Sequence, residues 1–170
     1  MENNTIKTKR YESPYGILLL GSYGEQLCMC DWLTEKRRDH VYKRLKEGTH
    51  SNFEEGTSTV IENAILQLNE FFTGKRKRFD IPILLIGTEF QKKVWNELLQ
   101  IPFGITVSYR EIAHRIGMPN AVRAVANANG ANAISIFVPC HRVIGSNRSL
   151  TGYAGGLIVK QKILELERKS

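Results

Sequence analysis

Apolar positions along the chain change rhythm repeatedly, and each change marks an element. Ile17 to Leu20 and Leu27 to Trp32 are apolar runs separated by Gly21-Ser22-Tyr23-Gly24-Glu25, which predicts a β-hairpin. Residues 34 to 57 are polar and charged, with Gly48 and Gly56, and predict loops around short helical pieces. From Thr57 or Ser58 to about Phe72, Ile61, Ala64, Ile65, Leu68, Phe71 and Phe72 recur at helical spacing, and Gly74 ends the pattern. The basic run Lys75-Arg76-Lys77-Arg78 and an apolar stretch from Ile81 to Ile86 follow.

After Gly87 the pattern turns to closely spaced helices. The chain is therefore divided into a small α/β domain with a short antiparallel sheet over residues 1–86, and a mostly helical domain over 87–170, an α+β fold. Thr88 caps a helix that points Phe90, Val94, Trp95, Leu98 and Leu99 inward. Ser108 opens the next helix, with Glu111 at capping-box spacing. That helix, Tyr109 to Ile116, stops at Gly117, and Met118-Pro119-Asn120 leads into another from Ala121 to about Asn129. Two short helices around a glycine-containing turn form a helix-turn-helix signature. In the second, Ala121, Ala124, Ala126 and Ala128 surround the single cation Arg123. Such small side chains suit either close approach to a large partner or tight packing on a neighbouring helix. Ile134 to Val138 reads as a buried strand ended by Pro139, which cannot continue a ladder. Gly152-Tyr153-Ala154-Gly155-Gly156 reads as a flexible loop. A last amphipathic helix, Leu157 to about Glu167, presents Leu157, Ile158, Lys160, Ile163, Leu164 and Glu167.

Composition narrows the class. The 170 residues are 42% hydrophobic and 24% charged, which suits folded domains and not a disordered chain. No apolar run approaches the roughly 18 residues of a membrane span, and Met1-Glu2-Asn3-Asn4 lacks a signal-peptide layout. A cytoplasmic protein is expected. The net charge of +7 favours an anionic partner, nucleic acid first. Lys36-Arg37-Arg38 and Lys75 to Arg78 read as solvated faces that add long-range attraction for phosphate.

Chemistry concentrates at Pro139-Cys140-His141-Arg142. Pro139 forces the chain out of the apolar run, and His141 and Arg142 bring a base and a cation beside the sulfur. Polar groups at the end of a buried run are costly unless partnered, so a hydrogen-bonded network is expected there. Either a reactive thiol or a buried structural one fits these residues taken alone.

The chain resembles the O6-alkylguanine-DNA alkyltransferases. The resemblance rests on Pro139-Cys140-His141-Arg142-Val143-Ile144, Ser108-Tyr109, Arg123-Ala124-Val125, Asn132 and Tyr153-Ala154-Gly155-Gly156, and runs from about Phe90 to Glu167. It implies a DNA repair protein that moves the alkyl group of O6-alkylguanine, and of O4-alkylthymine, irreversibly onto Cys140. By the same resemblance His141 takes the thiol proton through a water, Glu167 orients His141, and Asn132 braces the preceding turn. Tyr109 donates a hydrogen bond to the departing guanine. Arg123 fills the base stack in place of the flipped nucleotide, with Ser108 and Ala124 at the DNA. The loop of Tyr153, Ala154 and Gly155, with the main chain around Val143, lines the base pocket. Ala154 stands where some relatives have serine, which removes one possible hydrogen bond to the lesion. The resemblance implies double-stranded DNA containing O6-alkylguanine as the partner, no cofactor, and a monomer by default.

Magnitudes support a positional mechanism. A thiol of pKa about 8.5 is roughly 3% ionised at pH 7, so full ionisation gains only about 30-fold, about 2 kcal/mol. Holding sulfur in line with the alkyl carbon supplies more, about 7–11 kcal/mol. Flipping the base costs a few kcal/mol, which an inserted Arg123 partly offsets. Nothing in the sequence regenerates a thiol from a thioether, so one turnover per molecule is expected. Two competing classes are a lesion-binding module without repair, against which Cys140 argues, and a cysteine hydrolase using Cys140 and His141. Cys28 and Cys30 with His40 and His50 lack a familiar zinc-ligand spacing, so no metal is expected.

Overall fold

The computed structural model describes residues 5–34, 38–147 and 152–170. Met1 to Asn4, and Lys36 and Arg37 of one basic run, lie outside the described residues. Contacts cluster the chain into two compact units, Met1–Gly87 and Thr88–Ser170.

The first unit is a four-stranded sheet with two helices. Its strands are β1 (Thr5–Ser13), β2 (Gly16–Tyr23), β3 (Gln26–Trp32) and β4 (Asn52–Glu55), in the order β3-β2-β1-β4. The first three are antiparallel, and β4 adds a parallel edge on β1. The hairpin turn is shorter than predicted: Gly21, Ser22 and Tyr23 belong to β2, and Gly24 makes the turn at φ +60°. Gly21 is inside the strand because a Cβ there would lie 3.0 Å from Met29 and 3.2 Å from Ile6. β1 has no counterpart in the sequence prediction, because only Ile6 and Tyr11 in it are apolar. Residues 38–57 hold more regular structure than loops around short helical pieces. They form α1 (Asp39–Thr49), which buries only Val41, Leu45 and Thr49 on an i, i+4, i+8 stripe, and then β4.

The next helix, α2 (Thr59–Phe72), follows its prediction. The Ser58 hydroxyl accepts from the Ile61 N–H at 3.2 Å, and Val60, Ile61, Ala64, Gln67, Leu68 and Phe71 are buried. Tyr11 Oη donates to Asn69 Oδ1 at 2.6 Å and so ties α2 to the sheet. The Ile81–Ile86 stretch runs beside β3, where the Leu27 N–H donates to Pro82 O and the Leu84 N–H to Leu27 O. In the basic run, Arg76 is engaged by Glu70 at 3.2 Å, while Lys75, Lys77 and Arg78 are exposed.

The second unit is mostly helical: α3 (Glu89–Leu98), β5 (Val107–Ser108), α4 (Tyr109–Arg115), α5 (Val122–Gly130), a 3₁₀ turn (Cys140–Arg142), β6 (Val143–Ile144) and α6 (Leu157–Lys169). Capping boxes open two helices, Thr88 with Gln91 for α3 and Ser108 with Glu111 for α4. α3 buries Val94, Trp95 and Leu98, and the Trp95 indole donates to Ala128 O of α5 at 2.8 Å. Phe90 is half-buried, and Leu99, predicted inward, is 39% exposed because the helix ends there. Gly117 breaks the chain between α4 and α5 at φ +76°.

The Ile134–Val138 run is not a strand. It folds into a tight turn in which the Val138 N–H donates to Ile134 O at 2.9 Å and the Phe137 N–H to Ser135 O at 2.9 Å. Ile136 sits at φ +74°, a region that branched side chains rarely enter. An apolar run of this length has no periodicity that separates strand from buried turn.

Candidate active site around Cys140

Cys140 is 4% exposed and opens the 3₁₀ turn, so Cys140, His141 and Arg142 are wound together and not laid out on an extended chain. Its backbone is held from several sides. The Cys140 N–H donates to Val138 O at 2.7 Å, and the Arg142 N–H to Pro139 O at 3.0 Å. Asn132 clamps the preceding turn at both ends: Nδ2 donates to Val138 O at 3.0 Å, and Oδ1 accepts from the Ile134 N–H at 3.0 Å. From the end of α5, Asn129 Nδ2 reaches Cys140 O at 3.4 Å. A thiol mounted on such a backbone has its direction set before any substrate arrives.

His141 is fully buried, and its Nε2 lies 2.8 Å from Glu167 Oε2. Glu167 is also bound by Arg142, with Nε at 2.9 Å from Oε1 and Nη2 at 2.8 Å from Oε2, a two-point fork. Arg142 Nη1 donates to Ile101 O at 2.8 Å, its guanidinium lies 5.7 Å from the Phe103 ring centroid, and the Gly104 N–H donates to Glu167 Oε1 at 3.3 Å. Burial would push the Glu167 carboxyl up, but its bonds to His141 and Arg142 outweigh this and bring it down to about 2. Burial pushes His141 below its ordinary value against the pull of Glu167. With His141 neutral, Arg142 supplies the charge that keeps Glu167 ionised. A carboxylate can only accept, so Nε2 carries the proton and Nδ1 is the acceptor nitrogen. Nδ1 is buried without a hydrogen-bond partner in the protein.

The remaining predicted residues border this cluster or face solvent. β5 pairs with β6 in parallel, Val107 opposite Val143 and Ser108 opposite Ile144, which sets Ser108 and half-buried Tyr109 beside the segment after Cys140. Arg123 and Ala124 are exposed in the first turns of α5. Tyr153, Ala154 and Gly155 are half-buried in the turn before α6. The sequence brought in Arg142 only as a cation beside the sulfur, whereas in the structure it clamps Glu167; Lys160, read only as part of the last helix's face, is buried as well. The available signal was the spacing on α6, where Lys160, Ile163, Leu164 and Glu167 fall at i, i+3, i+4 and i+7 on the buried face. Cys28 and Cys30 are buried in β3, and among the described residues no cluster of three or more His, Cys, Asp or Glu could hold a metal ion.

Residues 89–169 match the family model described as 6-O-methylguanine DNA methyltransferase, DNA binding domain, and residues 6–85 match its ribonuclease-like domain. A methylated-DNA--protein-cysteine methyltransferase of Mycobacterium tuberculosis is 44% identical over 163 residues, covering 96% of this chain and 93% of that protein. This chain belongs to the 6-O-methylguanine DNA methyltransferase family. A relative of the same name from Methanosarcina acetivorans is 45% identical over 157 residues, covering 92% of this chain and 95% of its own. The crystal structure of Mycobacterium tuberculosis OGT in complex with DNA superposes with a TM-score of 0.81 at 43% identity, covering 97% and 93% of the two chains. In this methyltransferase the buried Cys140–His141–Glu167 group therefore lies within the DNA-binding half of a two-part chain.

Proposed function

We propose that the protein repairs duplex DNA by moving the alkyl group of O6-alkylguanine, and of O4-alkylthymine, onto Cys140 once per molecule. The observation that carries this reading is the fixed tautomer of His141: Glu167 holds Nε2–H at 2.8 Å and leaves Nδ1, the basic nitrogen, uncommitted next in sequence to the thiol. The thiol proton passes through a water to Nδ1. The sulfur then attacks the alkyl carbon in line, the S–C bond forms, and the electron pair of the C–O6 bond returns to guanine. Guanine takes up one proton, which balances the one lost by sulfur. Tyr109 stabilises the departing base with a hydrogen bond. Arg123, exposed on α5, fills the vacated stack, and Ala124 allows the α5 backbone to approach the groove. Tyr153, Ala154, Gly155 and the main chain at Val143 form the base pocket, with α4 and α5 as the helix-turn-helix. The reading also places the protein in the cytoplasm as a monomer; among the described residues no helix is long and apolar enough to cross a membrane.

The acceptor role is tested with duplex DNA carrying a radiolabelled O6-methyl group. Label is expected on wild-type protein and none on Cys140→Ala, while Cys28→Ala and Cys30→Ala keep it. Label retained by Cys140→Ala would reject the reading.

A further inference from the structure

The basic run that follows α2 belongs to the first unit and has no part in the Cys140 site. Between residues 70 and 80 four cations, Lys75, Arg76, Lys77 and Arg78, stand with two carboxylates, Glu70 and Asp80. Runs of like charge repel and favour an open, solvated chain. Here α2 fixes the backbone at three points instead. At the start of the loop Gly74 takes φ +76°, its N–H donates to Phe71 O at 3.1 Å, and the Lys75 N–H donates to Glu70 O at 2.8 Å. In the middle Arg76 turns back: Nε donates to Glu70 Oε1 at 3.2 Å and Nη1 to Arg78 O at 2.8 Å. At the end buried Gln67 accepts from the Asp80 N–H at 2.8 Å and donates to Asp80 O at 3.2 Å. Phe79 packs on buried Phe71 with ring centroids 5.4 Å apart.

Arg76 is thus spent within the loop, where it takes up Glu70, while Lys75, Lys77 and Arg78 are exposed on a frame already set. We propose that this loop is a second DNA contact, in which Lys75, Lys77 and Arg78 engage backbone phosphates of the duplex without regard to sequence or lesion. This rests on the protein acting on duplex DNA. A polyanion rewards several cations presented together, because each phosphate neutralised releases condensed counterions. Phosphate contacts of this kind position a protein on the duplex and carry no sequence information. A frame that is fixed beforehand also spares the ordering of the backbone on binding. An anionic membrane would draw the same charges, but membrane contacts pair them with apolar residues that insert. The one large apolar residue between Lys75 and Asp80 is Phe79, and it is turned onto Phe71.

The test measures binding of the full chain to an undamaged duplex as salt is varied. Each phosphate contact adds about 0.9 to the slope of log affinity against log salt concentration. The triple variant Lys75→Gln/Lys77→Gln/Arg78→Gln removes three cations, so the net charge falls from +7 to +4, and the slope should flatten by about 2.7. Between about 50 and 200 mM salt the wild type should therefore lose about 40-fold more affinity than the variant. On O6-methylguanine duplex the DNA concentration for half-maximal transfer should rise about tenfold or more. A control of equal charge, Arg10→Gln/Lys43→Gln/Lys46→Gln, removes exposed cations elsewhere in the same unit and should change the slope by less than about one. An unchanged slope in the folded loop variant, or equal flattening in the control, overturns the proposal. Vesicles of phosphatidylserine and phosphatidylcholine bound by wild type but not by the loop variant, with the DNA slope kept, would assign the loop to a membrane and overturn it too. Should the triple variant not fold, Lys77→Gln alone should flatten the slope by about 0.9, and no change there overturns the proposal instead. No transfer by wild-type protein, with the slope on undamaged duplex flattened as expected, rejects the acceptor role of Cys140 and supports the loop contact.

Discussion

Glu167 receives two demands, a tautomer to fix and a guanidinium to neutralise, and meets both with its two oxygens. Removing its charge leaves Arg142 buried and unmatched, and breaking such a pair costs about 3–5 kcal/mol. Glu167→Gln should lose stability of that order in urea unfolding and also transfer slowly, since His141 is no longer held with Nδ1 as acceptor. The pH dependence follows from the depressed carboxyl. Its folded value of about 2 lies below the ordinary glutamate value of about 4.3, so its contribution is complete above about 4.3 and fades as pH falls toward 2. Acid titration by circular dichroism should show that loss in wild type and not in Glu167→Gln. Cys140 and His141 were legible in the sequence because they are adjacent, whereas the Arg142 fork and the Lys160 bond to Val143 O join residues 25 and 17 positions apart. Glu167 taken alone would read as an exposed carboxylate near the end of a helix; burial at 2% exposure comes from tertiary packing that no local pattern carries.

Among the elements, those with strong periodicity or caps were legible and those carried by a few apolar residues were not. α2, α3 and α4 begin at Ser58, Thr88 and Ser108, whose hydroxyls accept from the third residue on. Ser108→Ala should cost about 1 kcal/mol of stability by losing that acceptor. β1 escaped, and α1 was foreseen only as unspecified short helical pieces, because polar residues outnumber Ile6 and Tyr11 in one and Val41 and Leu45 in the other. The turn before Cys140 is the informative failure. Its apolar residues suggested a strand, but Asn132 supplies the donor and acceptor that close it, and Ile136 takes up a positive φ. Asn132→Ala leaves the buried Ile134 N–H without its side-chain acceptor, at about 1–3 kcal/mol, while Val138 O keeps the Cys140 N–H. A urea midpoint close to wild type in Asn132→Ala would show that the turn does not depend on the clamp.

Across the whole molecule, the proposed function takes phosphate attraction from the net charge of +7 and insertion into DNA from exposed Arg123 as separate contributions. Arg123→Ala should change stability by less than about 0.5 kcal/mol, since the side chain is exposed. It should slow transfer about tenfold or more, because 1.4 kcal/mol of the flipping cost is then no longer offset. Equal transfer rates for wild type and Arg123→Ala on duplex substrate would remove it from that role. The sequence reading divides the chain into 1–86 and 87–170, where spacing and caps change together; the contact clusters are Met1–Gly87 and Thr88–Ser170. The central claim, a buried cysteine expended as an alkyl acceptor, is most directly tested by intact-mass and peptide analysis after incubation with excess duplex DNA containing O6-methylguanine. The account predicts that each molecule gains one methyl in place of one proton, on the Cys140 peptide, and then stops. Continued turnover, or a methyl on any other residue, would contradict it.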